Sequence, residues 1–355
     1  MASADARFMR IGLTIVVLLV SCSGDVAVTV GPGSNSAVSP SISAPPPTSA
    51  ASVSSTSPTK GPPTPIPLPS FADVAAAGNS VVWTLVAGDH LFRSLDRGET
   101  WEERIIPAAR VAKIAFVDDS FGWALVVGSP ATGCMAQSFV VWQTTDGAAT
   151  WQVRYENQLD SVFASGCKSS LAFVDQQHGY VSLSGRDVAP AILHSMDGGA
   201  TWSLSKRLPD PPGFRFEPSV STLAPGAVAD FGSSLFVFAR SQIAGEARGH
   251  VYRSTDRAST WSHVVGTPMP SEVVFLTPTR WLQIGTPSSW FETTDGGASW
   301  HSFATNYTQA AGVAPQIVFG DAKTGYATVR GAIQRTTDGG AHWSYIRTPG
   351  TQSVP

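Results

Sequence analysis

The stretch Thr336-Thr337-Asp338-Gly339-Gly340-Ala341-His342-Trp343 decides the fold, because variants of it occur six times along the chain. The shared pattern is Ser or Thr, any residue, Asp, any residue, Gly or Ala, two further residues and Trp. The closing tryptophans stand 39 to 59 residues apart. Repeats of about 40 to 50 residues with strand-like patterning are typical of β-propeller blades. The six Asp and Trp pairs are Asp96 and Trp101, Asp146 and Trp151, Asp197 and Trp202, Asp256 and Trp261, Asp295 and Trp300, and Asp338 and Trp343.

Each copy lies between two short β-patterned runs, such as residues 139–143 and 150–154, which predicts a hairpin closed by a tight turn. The Asp is suited to accept hydrogen bonds from backbone N–H groups ahead of it, and Gly supplies a positive φ. The Trp is expected to fill the gap between neighbouring blades. In two copies Ala148 and Ala258 replace the Gly, so those turns should be strained by about 1 kcal/mol or shaped differently.

These six copies resemble the Asp-box, or bacterial neuraminidase repeat, over residues 71 to about 348. With a second recurring element they resemble the propellers of the photosystem II assembly and stability factor family, which also occur in bacterial envelope proteins without a photosynthetic role. Six complete units imply an all-β, six-bladed propeller of four-stranded antiparallel blades. Because the same chemistry recurs at six similar places, the Asp residues are expected to be structural rather than catalytic or calcium-binding. A seventh blade without the repeat, within residues 203–253, is the alternative. The second element comprises residues 116–124, 173–181 and 319–327.

The N-terminus reads as an export signal over residues 1–21. Arg7 and Arg10 precede an apolar run at residues 11–20, which is too short to span a bilayer. Residues 19–22 resemble the lipobox of bacterial lipoproteins, which implies that Cys22 becomes a lipidated N-terminus. The protein is therefore expected to be an exported, membrane-anchored lipoprotein facing the extracytoplasmic side. An ordinary secretory signal or an uncleaved helix is the alternative.

Residues 22–70 are expected to be a disordered tether. Residues 31–70 contain 11 Pro and 11 Ser, and Lys60 is their only charged residue. Such a composition cannot bury a core. The predicted order is therefore a signal at 1–21, a tether at 22–70, a propeller at 71–348 and a C-terminal tail at 349–355.

The charge of the chain limits the kinds of partner that it can bind, and its cysteine count bears on disulfide formation. Loss of residues 1–21 changes the formal net charge from −3 to −4, and no basic block is present, which argues against nucleic acid. With Cys22 assigned to lipid, Cys134 and Cys167 remain, and an exported pair suggests a disulfide. Propeller topology places both on the face opposite the repeated turns, in adjacent blades. The alternative is two unpaired thiols.

Binding residues are expected on that same face, because long loops on a rigid scaffold usually carry function. The predicted long loops are 128–138, 155–170, 184–191, 207–222, 241–249 and 303–315. The candidate binding residues are Arg110, Tyr155, Asp160, Arg186, Arg215, Glu217, Arg248 and Tyr307.

Two functional hypotheses follow. The first is a non-catalytic scaffold that holds a protein or glycan through the loop face. The second is a sialidase-like exo-glycosidase or glycan-binding protein, because Asp-boxes are common in sialidases. The Arg-Ile-Pro motif of sialidases is missing, and residues 214–218 resemble it only loosely. The seven scattered histidines form no zinc motif and no phosphate-binding loop is present, so neither a metal nor a cofactor is expected; His194 and His250 are interpreted as blade residues.

Overall fold

The computed structural model describes residues 72–157, 162–285, 289–307, 315–329 and 331–351. The predicted signal, Cys22, the tether and the last residues of the tail lie outside this range. The described residues form six antiparallel sheets in chain order. The expected six-bladed, four-stranded propeller is therefore confirmed. None of the helices among these residues is long and apolar enough to cross a membrane.

Each blade is built from consecutive strands that run from the propeller axis outwards. Two short 3-10 helices, Thr132–Cys134 and Val162–Ala164, lie in loops of blades 2 and 3. Blade 1 contains β1 Ala72–Ala77, β2 Val81–Val86, β3 His90–Ser94 and β4 Glu102–Arg104; blade 2 contains β5 Val111–Phe116, β6 Gly122–Val127, β7 Phe139–Thr144 and β8 Gln152–Glu156; blade 3 contains β9 Cys167–Lys168, β10 Ala172–Phe173, β11 Gly179–Ser184, β12 Ala191–Ser195 and β13 Ser203–Leu204; blade 4 contains β14 Ser221–Asp230, β15 Leu235–Ile243, β16 Glu246–Ser254 and β17 Ser262–Gly266; blade 5 contains β18 Val273–Phe275, β19 Trp281–Gly285, β20 Ser289–Thr293 and β21 His301–Ser302; blade 6 contains β22 Gln316–Phe319, β23 Gly325–Val329, β24 Ala332–Thr336 and β25 Ser344–Ile346.

Blades 3 and 4 depart from the regular plan. In blade 3 the innermost strand is interrupted, so β9 and β10 both pair with β11. In blade 4 the first three strands are 10, 9 and 9 residues long. These long strands account for the wide spacing between Trp202 and Trp261, so the alternative of a seventh blade at 203–253 is wrong. The loop predicted at 241–249 is also wrong, because β15 and β16 continue through it to a turn at Ala244 and Gly245.

The repeated turns join the third and fourth strands of every blade, and one network of hydrogen bonds holds them. In the first turn the Ser94 hydroxyl oxygen accepts the Gly98 N–H at 2.8 Å. The Asp96 carboxylate accepts the N–H and the hydroxyl of Thr100 at 2.9 and 2.6 Å. The other five turns repeat this arrangement, with the His342 ring in place of the hydroxyl in the sixth. The repeated Asp is thus a backbone acceptor in all six turns.

The two alanine-containing turns keep the shape of the others. The four glycines at this position have φ between 88° and 97°, whereas Ala148 and Ala258 have φ of 61° and 67°. Both alanine N–H groups still reach the Ser or Thr hydroxyl oxygen. Both alanines occupy the left-handed region, which disfavours residues with a Cβ, and the turns keep their hydrogen bonds, so the strain of about 1 kcal/mol stays a prediction.

The second recurring element forms the packing between blades. An ideal Cβ on Gly122 would lie 2.1 Å from the ring of Phe116, so only glycine leaves room for that ring. The Phe116 ring stacks on Trp83 of the preceding blade at 3.8 Å and meets Trp151 edge-on at 6.2 Å. Blade 3 repeats the same arrangement, and blade 6 repeats its glycine and edge-on contacts. The closing tryptophans therefore pack between blades, as predicted.

Replacing Trp202 with Ala should lower the free energy of unfolding by about 3–5 kcal/mol, because its ring is 5% exposed and packs between blades 2 and 3. Met196→Ala in the same turn is the matched control, since Met196 is 54% exposed; its effect should stay within about 0.5 kcal/mol. Chemical denaturation followed by circular dichroism measures both. Equal losses in the two variants would contradict the interblade packing.

The repeated turns should also make the fold sensitive to acid. Hydrogen bonds, chiefly from the hydroxyl four residues on, lower the pKa of Asp96, Asp146 and Asp295 from 3.8 to about 2. A carboxylate with a lowered pKa stabilises the fold above its unfolded pKa, and this contribution is lost as the pH falls from about 4 to 2. Asp146→Asn should therefore be less stable than the wild type at pH 7, and the two should converge at pH 2. Urea unfolding of both proteins between pH 6 and pH 2 measures the difference in their free energies of unfolding. A difference that stays constant over this range would contradict the prediction.

Candidate functional site

The connections between the second and third strands, and those between blades, lie on the face opposite the repeated turns, here called the loop face. A central channel of about 910 Å³ lies along the axis, lined mainly by the innermost strands. Phe116, Phe173 and Phe319, at the ends of their strands, line it towards the repeated turns. The starts of those strands line it towards the loop face and carry polar side chains. The channel is therefore apolar at one end and charged at the other.

Four charged residues line the channel near the loop face: Asp73, Lys113, Arg240 and Glu272. Lys113 Nζ lies 3.2 Å from the Asp73 carboxylate, which also accepts the Ile114 N–H at 2.9 Å and so ties blade 1 to blade 2. Glu272 belongs to blade 5, opposite Lys113 across the ring. Glu272 is exposed to the channel, and the surrounding channel walls raise the pKa of its carboxyl by desolvation while the Lys113 charge opposes this rise. The channel thus presents both signs of charge to a ligand.

A disulfide braces the loop face between blades 2 and 3. Cys134 and Cys167 are bonded, with their Cα atoms 5.1 Å apart. Next to them, Gln137 donates to Gly128 O and accepts the Lys168 N–H, both at 2.9 Å. The predicted pairing is confirmed, and the alternative of free thiols is wrong.

The side chain of Lys168 adds further hydrogen bonds to this contact between blades 2 and 3. Its ammonium donates to the carbonyl oxygens of Ala164, Ser165 and Gly166 at 2.8–3.1 Å and lies 5.3 Å from the Phe139 ring centroid. Burial lowers the pKa of Lys168 to about 8. The three carbonyl oxygens favour the charged form, so the side chain remains an ammonium near neutral pH. The buried ammonium group therefore ties three successive carbonyl oxygens of this loop to β9.

The brace extends from the disulfide to the loop that enters blade 4. Arg186 N–H donates to Gly133 O at 3.1 Å, and Ser219 N–H donates to Arg186 O at 3.4 Å. The Ser219 hydroxyl also donates to the Asp187 carboxylate. Loops 128–138, 162–168, 184–190 and 215–221 are thus joined; they are called the braced platform below.

The braced platform exposes apolar and basic side chains together. Met135, Val162 and Val220 are 56%, 65% and 59% exposed, so three of the joined loops each present an apolar side chain to solvent. Arg186 is exposed, and the side chain of Arg215 is 83% exposed, with its nearest carboxylate, Glu217, 3.9 Å away. Such a mixture is typical of protein-binding surfaces.

The predicted binding residues separate into distinct groups. Arg186, Arg215 and Glu217 lie together on the braced platform. Arg110 is exposed between blades 1 and 2, and Arg248 is exposed on β16. Asp160 lies outside the described residues.

Two of the predicted residues are involved in packing. Tyr307 is 2% exposed and packs against Trp290 and Trp343 between blades 5 and 6, so its inclusion in a binding face is corrected. The aromatic residues that bury Tyr307 are distant in sequence, so its position in a predicted loop wrongly indicated that it is exposed. Tyr155 is half-buried on β8 beside Phe139, and its ring is also part of the core between blades.

The channel charges and Lys168 were missed by sequence reasoning. Asp73, Lys113 and Glu272 stand in or beside the innermost strands, where a β pattern predicts only apolar residues. A charged residue interrupting an apolar strand was the available signal. Lys168 carried no signal, because its three acceptors are backbone carbonyls.

A sialidase would need three arginines that converge on the substrate carboxylate, with a tyrosine and a glutamate beneath them. This arrangement is absent from the described part of the channel. Its lining contains one arginine, Arg240, and no tyrosine. Tyr155 and Glu156 lie on β8, the outermost strand of blade 2, away from the axis. Across the described ranges, no group of three or more His, Cys, Asp and Glu residues is placed to hold a metal.

Known structures with similar folds include binding proteins and enzymes. YCF48 bound to a D1 peptide is 16% identical with a TM-score of 0.39, covering 78% of this chain and 93% of that one. YCF48 from Cyanidioschyzon merolae is 15% identical with a TM-score of 0.46, covering 82% and 89%. The Hadza microbial sialidase Hz136 is 11% identical with a TM-score of 0.48, covering 78% and 65%. The sequence matches no protein-family model and no curated protein. These likenesses extend to the fold alone.

Proposed function

We propose that the protein is a membrane-anchored, extracytoplasmic propeller that binds a protein partner through the loop face without catalysing a reaction. The braced platform is the observation that carries this proposal. A disulfide, a buried lysine and backbone hydrogen bonds hold four loops in one arrangement, so little conformational entropy is lost on binding. The exposed Met135, Val162 and Val220 supply apolar area within that arrangement.

The partner's chemistry follows from the charges around these apolar side chains. Arg186 and Arg215 are exposed beside them, whereas the chain as a whole carries a formal net charge of −3. The platform also carries the carboxylates of Asp187 and Glu217, so its exposed charges are mixed. Its two guanidinium groups favour a partner segment that combines apolar side chains with acidic ones placed to meet Arg186 and Arg215. The lipobox-like residues before Cys22 support anchoring, and the tether would hold the platform away from the membrane.

The proposal is tested by crosslinking the full chain in its own membrane and identifying captured proteins by mass spectrometry. The double variant Arg186→Glu with Arg215→Glu should no longer capture the specific partner, because the introduced glutamates repel the acidic side chains of that partner. Lys323→Glu is the control, since Lys323 is exposed on the opposite face between β22 and β23. Circular dichroism should show both variants folded. Equal capture by the two variants would contradict binding at the braced platform.

The same membranes test the anchor. Cys22→Ser should move the protein from the membrane fraction to the soluble fraction while its propeller remains folded. Retention of Cys22→Ser in washed membranes would contradict lipid anchoring.

In the crosslinking experiment, the wild type could capture glycans instead of proteins. Glycan capture that is lost in Arg186→Glu with Arg215→Glu would favour the glycan-binding alternative.

A further inference from the structure

A second cavity lies apart from the braced platform, at the loop-face end of blade 4. It has a volume of about 260 Å³ and is lined by β16, β17 and the segment that follows β17. Its chemically active lining residues are Arg248, His250, His263 and Met269. Neither the fold nor the proposed partner binding accounts for these side chains.

The two histidines meet through strand pairing. Tyr252 on β16 is opposite His263 on β17, and His250 is two residues before Tyr252 on the same face. The pairing of β16 and β17 shifts in register between Val251 and Tyr252, and both His250 and His263 line the cavity. The two imidazole centroids lie 5.6 Å apart, with a 60° angle between the rings.

One nitrogen of each ring is buried without a hydrogen-bond partner in the described structure: Nδ1 of His250 and Nε2 of His263. Thirteen buried side-chain nitrogen and oxygen atoms of the described residues lack a partner, and these two are the ones whose residues line this cavity, where a bound ion would satisfy both. Here two such atoms belong to neighbouring rings that line one cavity. His250 as a whole is only 5% exposed, so bulk water does not satisfy it.

The remaining contacts prepare His250 to act as a ligand. Its Nε2 lies 2.9 Å from the Ser241 hydroxyl, which can donate onwards to Arg248 O at 3.4 Å. When the hydroxyl donates to Arg248 O, Nε2 carries the ring proton and Nδ1 presents a lone pair. Metal-binding histidines usually have such an outer hydrogen bond. Burial lowers the pKa of His250 to about 4 and also lowers that of His263, so both rings are neutral near pH 7.

The ring separation fits a shared metal ion. With metal–nitrogen bonds of roughly 2 Å, two imidazoles on one ion place their centroids roughly 5–6 Å apart. We propose that His250 and His263 bind one copper(I) ion, with Met269 available as a thioether ligand. A thioether ligand favours copper(I), imidazole suits copper among several transition metals, and no carboxylate or thiolate lines the described cavity. The nearby Arg248 charge disfavours divalent ions more than a monovalent one.

Sequence reasoning interpreted His250 as a blade residue and expected no metal. The spacing of His250 and His263 matches no metal-binding motif, because their proximity comes from pairing between β16 and β17. The inference goes beyond the proposed partner binding, and either can fail without the other.

The test is copper(I) titration of the full chain without a histidine tag, in competition with a coloured copper(I) chelator under ascorbate. All samples carry Cys22→Ser, so that no free thiol from this position competes. We expect one copper(I) ion per chain. His250→Gln and His263→Gln should each weaken binding at least 10-fold, and Met269→Leu should weaken it by a smaller factor.

The matched control is His301→Gln, because His301 is an exposed histidine on β21, away from the cavity. Its affinity for copper(I) should equal that of the unsubstituted chain. Circular dichroism checks each variant, and His263→Gln keeps the test valid if His250→Gln does not fold. Equal binding by His263→Gln and His301→Gln would overturn the site. Zinc binding of equal strength at the same residues would overturn the assignment to copper.

Discussion

The contact between a phenylalanine ring, a glycine and a closing tryptophan is the constraint on which this propeller depends. At the boundary of blades 2 and 3, the Phe173 ring lies over Gly179, stacks on Trp123 at 3.7 Å and meets Trp202 edge-on. Each partner comes from a different strand or turn, so one contact fixes both the blade and its neighbour. Blade 5 shows the same constraint differently, because Trp281 stands at the glycine position and fills the space itself.

Among residues 72–351 as described, the ring closes without strand exchange, since each blade uses consecutive strands. Blades 1 and 6 are joined by packing of Val74 and Val82 against Tyr326 and Ile346, with Arg335 donating to backbone and carboxylate oxygens of the first repeated turn. The stability of the scaffold therefore comes from its interfaces.

Sequence reasoning predicted the repeated architecture closely and the site only partly. The predicted β-patterned runs 139–143 and 150–154 overlap β7 and β8, because turns and alternating apolar residues are local signals. The disulfide was also predictable, since topology placed both cysteines on one face. Tyr307 and the His250–His263 pair were not, because burial and pairing between distant residues depend on register and loop path. The repeat identifies where each strand begins, but it carries no information about which loops touch.

The most direct test of this account is a double-mutant cycle at Gly179 and Phe173. A Cβ on Gly179 would lie 2.4 Å from the Phe173 ring, which stacking on Trp123 prevents from moving away. We predict that Gly179→Ala lowers the free energy of unfolding by about 1–3 kcal/mol alone, and by much less when combined with Phe173→Leu. Chemical denaturation of the four proteins measures the coupling. Strictly additive effects would contradict the claim that this ring and this glycine hold neighbouring blades together.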